Sequence, residues 1–414
     1  MFRTLIKDLK FPTGVAVDGG VVYITESGLQ PTGRLGQGRV LKITDSGTVV
    51  LADELRAPVT GLIFHEGALF VSEGGCPGRI SKIDPRTGAR QTLLDNLPGG
   101  GDYHTNTPII LGEWLYFGQG AATNSGIVSW DPVSMPWIEG TDLPNDLPGY
   151  DVELADHDGT GKTGAFQKFG TKVEARTRLN AQLPCTSGVM RCRLDGSELE
   201  TVAWGFRNPF GLHAMPDGEI LVVDLGMNDR GARPVGQTGS AIWKLEKNRW
   251  FGHPDFVAGE PVSDPKFRSL RPEALQAAPL IANHDELGPV PKPLAKFGPN
   301  SGPTQMLYDE KSSVLLVALF GDKRPITGVP GPTAGRDLVR IDLTSGAITA
   351  CNLTGLYRPI DLCWRNDELL LLDFGNYELE AGGGLKLGGP SGALHLVSRQ
   401  AFDASVKHDL ETVS

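Results

Sequence analysis

His104 closes a glycine-rich run, GGGDYHTN (residues 99–106). An imidazole is the side chain best able to take a proton near neutral pH, and the glycines let backbone approach a ligand closely. Far from it along the chain stand Arg207, with Asn208 beside it, and Arg358. A guanidinium is a planar fork suited to carboxylates and able to polarise an oxygen. A neutral base beside fixed cations suits two chemistries. One removes a proton from an alcohol beneath an anionic electron acceptor; the other hydrolyses a lactone or ester, the arginine stabilising the oxyanion. Plainer roles exist as well: a histidine satisfied within a turn, and arginines that stitch elements together by salt bridges.

What would bring these residues together is a repeat. Six stretches carry a turn, a short apolar strand, a polar turn and a second apolar strand: 13–28, 60–75, 106–120, 210–226, 302–321 and 360–375. Most are followed by a second alternating pair around an Asp/Ser/Thr-Gly turn, as at 38–53, 78–95, 187–203 and 336–353, the pattern of a hairpin. A unit this long cannot bury its own faces and must pack on its neighbours. Two hairpins make a four-stranded blade, so the chain reads as all-β, a single six-bladed β-propeller of antiparallel blades spanning 1–414. Irregular insertions are expected at about 127–186, within blade 3, and 253–301, between blades 4 and 5. The segment FRTLIKDL near the N-terminus is expected to complete the last blade.

Aligning the copies puts Phe11, Pro58, His104, Asn208, a residue near Ser301 and Arg358 at equivalent starts of the strands that line the axis. His104, Arg207-Asn208 and Arg358 should therefore meet at one mouth. The second strands end in Glu26, Glu73, Gln119, Asp224 and Asp373. That acidic ring offers either a divalent-cation site, as a metal-dependent lactonase would need, or acceptors for hydrogen bonds from adjacent turns. A third reading is a non-catalytic propeller that binds a carbohydrate or a protein through the two insertions.

The formal charge of −10 and the lack of a basic run exclude nucleic acid as the expected partner, leaving a small molecule. No apolar stretch is long enough for a membrane span. MFRTLIKDLK lacks the apolar centre of a signal peptide, so the chain reads as cytosolic or as lacking its export signal. None of the five cysteines forms CxxC. Cys185 and Cys192 are close enough in sequence to pair, although buried thiols are the simpler expectation.

Residues 203–226, AWGFRNPFGLHAMPDGEILVVDLG, resemble the fourth-blade signature of the glucose/sorbosone dehydrogenase family, Gly205 to Leu212 being the specific part. NRWFGHPDF (248–256), GGGDYHTN and GQGAATNSG (118–126) are similar to further family segments. The resemblance spans roughly 10–375 and implies a soluble propeller using pyrroloquinoline quinone (PQQ) and calcium to oxidise a sugar or polyol. It implies His104 as the base taking the hydroxyl proton and Arg207 as stabiliser of charge at the quinone oxygens. Asn208, Lys323 and Arg358 are implied as cofactor contacts, and Asp224, Asn228 and Asp229 as oxygen donors to calcium. The chain departs from the family at Leu356, where characterised members carry a second arginine, and at Tyr103, which separates Asp102 from His104.

Overall fold

A computed structural model describes residues 2–32, 34–130, 143–156, 163–271, 273–322, 334–379 and 385–402. Six four-stranded antiparallel sheets follow one another as blades. Blade 1 holds strands Pro12–Asp18, Val21–Glu26, Gln37–Thr44 and Gly47–Arg56. Blade 2 repeats this with Val59–His65, Ala68–Glu73, Gly78–Ile83 and Arg90–Leu97. Each strand pairs with the next, so sequence order is radial order from the axis outward. The last blade alone mixes chain ends: Arg3–Leu9 pairs outside Gly392–Ser398, closing the ring as expected.

The apolar core lies between blades. Six clusters of buried side chains each join two neighbouring blades, the pair 6 and 1 included. Leu370, Leu372 and Leu394 of blade 6, for instance, pack against Val15, Ile24 and Leu41 of blade 1. Alternation puts one face of every sheet against each neighbour, which leaves the middle of the ring to whatever the inner strands present.

Both insertions are present, one of them displaced from its expected place. In blade 3 the excursion separates Trp114–Gln119 from Gly188–Arg193. The second lies inside blade 4 and not between blades 4 and 5. It leaves after Ala241–Lys244, and the outer strand follows it as Ala295–Lys296. Two residues carry no alternation, so that strand has no signature in the sequence. The helical content of the described residues is slight, as in the single α-helical turn His284–Leu287. No helix there is long and apolar enough to cross a membrane. Cys185 and Cys192 are free, buried thiols.

Candidate functional site

The inner strands share a defect that builds the site. In each blade the first pairs of the inner hairpin skip one residue, as between Pro12 and Gly14 opposite Glu26 and Thr25. The same skip recurs in the other five blades. A β-bulge leaves its extra residue outside the ladder and re-aims it. Thr13, Thr60, Asn106, Phe210, Thr304 and Ile360 stand at these places, and all six line one cavity of about 750 Å³ at the axis, within the size range of small-molecule sites. Just before each bulge a carbonyl accepts a backbone N–H from the end of the second strand: Phe11, Pro58, His104, Asn208, Gly302 and Arg358 do so in turn. The six strand starts are therefore structurally equivalent, with Gly302 the blade 5 member.

His104 lines the cavity. Its Nδ1 is buried without a hydrogen-bond partner. Burial pushes the imidazole down to about 4, opposed by the backbone of Gly74 alongside it, because the charged form loses its hydration. His104 is thus neutral at physiological pH. Arg207 also lines the cavity and is 2% exposed. Its Nε donates to Asn124 O at 3.1 Å, and one Nη to Asn124 Oδ1 at 2.9 Å and Asn228 Oδ1 at 3.2 Å. The other Nη donates to Gly226 O, and the Tyr103 ring lies 4.6 Å from the guanidinium carbon. Among the described residues no carboxylate pairs with it.

Asn208 lines the cavity too, its Oδ1 accepting from Asn106 Nδ2 at 2.8 Å and its N–H donating to Asp224 Oδ1 at 2.8 Å. Arg358, by contrast, is 1% exposed and is not part of the lining. It donates to the carbonyls of Gly321 and Tyr377 and to Glu378 Oε2 at 3.2 Å, with Asp322 at 3.6 Å. Its charge is spent behind the wall, under Phe320 and Tyr377. Leu356 packs into the cluster between blades 5 and 6. Lys323 lies outside the described residues.

The acids do not form a ring around a cation. Glu26 accepts from Lys10 N–H, Glu73 from Arg56 N–H, and Asp373 from the N–H groups of Tyr357 and Arg358. Each secures the turn that enters its own blade, as a buried carboxylate requires. Asp224 plays the same part towards Asn208, and burial pushes it up to about 7. Asp229 accepts from Ser269 Oγ at 2.5 Å and Leu270 N at 2.8 Å, and Asn228 Oδ1 from Arg207. Asp224, Asn228 and Asp229 thus serve separate donors. Among the described residues no three His, Cys, Asp or Glu side chains gather as a metal site.

Several lining residues have no counterpart among the sequence-derived candidates. Asp102 and Arg230, a buried ion pair, form wall between blade 3 and the loop after blade 4's second strand. Phe210, Phe320, Phe374 and Tyr377 supply aromatic surface, the last three in mutual ring contact. The recurrent Thr/Asn/Phe/Ile one step into each inner strand was the available signal; its meaning depended on bulges that the repeat does not announce.

Neither a family model nor a curated protein matches the chain. Solved structures do. The PQQ-bound aldose sugar dehydrogenase from Streptomyces coelicolor is 13% identical, with 96% of this chain and 97% of that one covered at a TM-score of 0.56. The holo PQQ domain of pyranose dehydrogenase from Coprinopsis cinerea is 15% identical, covering 96% and 95% at 0.57. The apo soluble aldose sugar dehydrogenase from Escherichia coli is 13% identical, covering 96% and 99% at 0.55. At such identity the likeness is one of fold, the six-bladed propeller, over nearly the whole of each chain.

Proposed function

We propose that the protein oxidises a hydroxyl of a sugar or polyol, with PQQ bound in the axial cavity and His104 as the general base. One observation carries the reading: a cavity wide enough for a tricyclic ligand holds a neutral imidazole and a buried arginine whose direct hydrogen-bond acceptors are all uncharged. A planar aromatic acid needs flat apolar walls and a cation, and Phe210, Phe320, Phe374, Tyr377 and Arg207 answer to that. The shared fold with PQQ-containing dehydrogenases supports the same reading.

When bound, PQQ supplies a two-electron acceptor. What the chain itself contributes is proton handling, charge and enclosure. With its hydrogen on Nδ1, His104 presents the Nε2 lone pair to the cavity and takes the hydroxyl proton there as the C–H bond breaks. Arg207, itself buried, holds positive charge where negative charge develops, so its effect is little screened. Asn208 fixes the floor beside it through Asn106. Calcium enters the proposal only together with the cofactor, because the oxygens of Asp224, Asn228 and Asp229 already serve protein donors.

The test is reconstitution. Protein mixed with PQQ, with and without Ca²⁺, and then desalted should keep the cofactor's absorbance and reduce an electron-accepting dye when aldoses or polyols are added. Loss of all cofactor on desalting together with no sugar-dependent reduction rejects the proposal.

A further inference from the structure

Buried arginines in this protein are normally neutralised. Arg230 pairs with Asp102, Arg233 with Asp255 at 3.1 Å, and Arg358 with Glu378 at 3.2 Å. Arg207 departs from that pattern: its acceptors are Asn124 O, Asn124 Oδ1, Asn228 Oδ1 and Gly226 O, all uncharged. Asp102 and Asp224 favour its charge without bonding to it, and burying a cation with no direct counter-charge is costly, so something must hold the guanidinium at the cavity wall without cancelling it.

Two of those four acceptors belong to Asn124, which is 5% exposed and is not itself part of the lining. Its amide is fully used. Oδ1 accepts from Arg207 and from the N–H of Asn228 at 2.9 Å, while Nδ2 donates to Asn228 O at 2.8 Å and Arg230 O at 3.2 Å. Three residues of the cavity wall thus converge on one side chain from blade 3. Its neighbours are anchored independently, Thr123 by its hydroxyl to Asp146 and Ser125 by its hydroxyl to Arg233 O. The backbone at Asn124 is therefore held whatever side chain it bears. Only an amide of this length offers two acceptor directions and two donors at once. An aspartate would keep the shape but give Arg207 a carboxylate and turn an oxygen towards two carbonyls.

We propose that Asn124 is a positioning residue that fixes Arg207 with neutral oxygens, so that its charge remains available to an anionic group in the cavity. The inference rests on the cavity's ligand being anionic, as PQQ is in the function proposed above.

The experiment is a double-mutant cycle read as anion affinity by titration calorimetry, with PQQ and, separately, pyridine-2,6-dicarboxylate as probes. The four proteins are wild type, N124D, R207Q and the double variant, with a melting curve for each. N124D is expected to weaken both anions about tenfold or more, the scale of one charge-assisted hydrogen bond. In the R207Q background the same change is expected to alter affinity by less than about twofold, because the coupled pair is already broken. Should N124D not fold, N124A carries the same comparison. An equal loss in both backgrounds means a merely structural role and overturns the proposal, as does a wild type that binds neither anion. A wild type that binds the dicarboxylate in an Asn124-dependent way but not PQQ removes the cofactor reading and leaves this one standing.

Discussion

Burial lowers the pKa of both basic side chains at the cavity, with opposite outcomes for their charge. It strips the proton from His104, pushed down to about 4, but leaves Arg207 charged, since a guanidinium does not deprotonate in the working range. Two consequences are measurable. A base must be unprotonated, so a lowered pKa extends activity to lower pH. The acid limb of kcat/KM, which reports the free enzyme, is expected near 4 and not near the unperturbed histidine value; a limb near 6.5 would mean that the base is another group or that the ring is hydrated. H104Q is expected to lower kcat about 10²- to 10⁴-fold while PQQ affinity stays within about twofold of wild type. Surviving turnover would move the base elsewhere. The place of His104 and Arg207 at the cavity was legible because a glycine run and a family-like string mark them. The strand-start position of Arg358 was readable, but its pairing with Glu378 and Asp322 depends on side-chain directions that register alone does not give.

At the scale of the strand, the hairpin repeat was legible because alternation and turn residues are local signals, whereas the bulge that aims Thr13, Thr60 and Asn106 inward is not. It arises from fitting six inner strands around a narrow axis. That crowding explains the glycines just past the bulge. A Cβ on Gly61 would lie 2.5 Å from Thr107 Cα, just ahead of the next blade's inner strand, and one on Gly211 2.2 Å from Thr304 O, on the next blade's inner strand. Backbone cannot yield as a side-chain tip does. G61A is therefore expected to lower stability by about 1–3 kcal/mol, the usual cost of overpacking. Gly20, with nothing within 4 Å of its would-be Cβ, is the control, and G20A should fall within about 0.5 kcal/mol of wild type. Urea unfolding of the two variants decides it. Equal effects would show that blade spacing is not set at this contact.

Across the whole molecule, stability comes from six blade interfaces, and a ring has one that no chain continuity protects. Blade 6 draws its outer strand, Arg3–Leu9, from one end of the chain and its inner three from the other. Leu9 and Phe11 share the cluster that also holds Leu370, Leu394 and Leu396, so the closing strand both completes a ladder and covers the seam between blades 6 and 1. Its pairing with Gly392–Ser398 is irregular, shifting between Thr4 and Ile6 and again before Leu9, and only part of it is buried. Deleting residues 1–9 is therefore expected to cost at least about 3 kcal/mol, as a buried leucine truncation does, and to bare the edge of Gly392–Ser398 for pairing with another chain. The deletion should show a lowered melting temperature and concentration-dependent association in sedimentation. A synthetic peptide of residues 1–11 should reverse both by strand addition. Unchanged melting would mean that the seam is held by the inner strands alone. Because the cavity is lined from all six blades, the truncated protein should also lose affinity for its ligand before it unfolds, and the peptide should restore it. Ring closure and binding are then one equilibrium seen at two places.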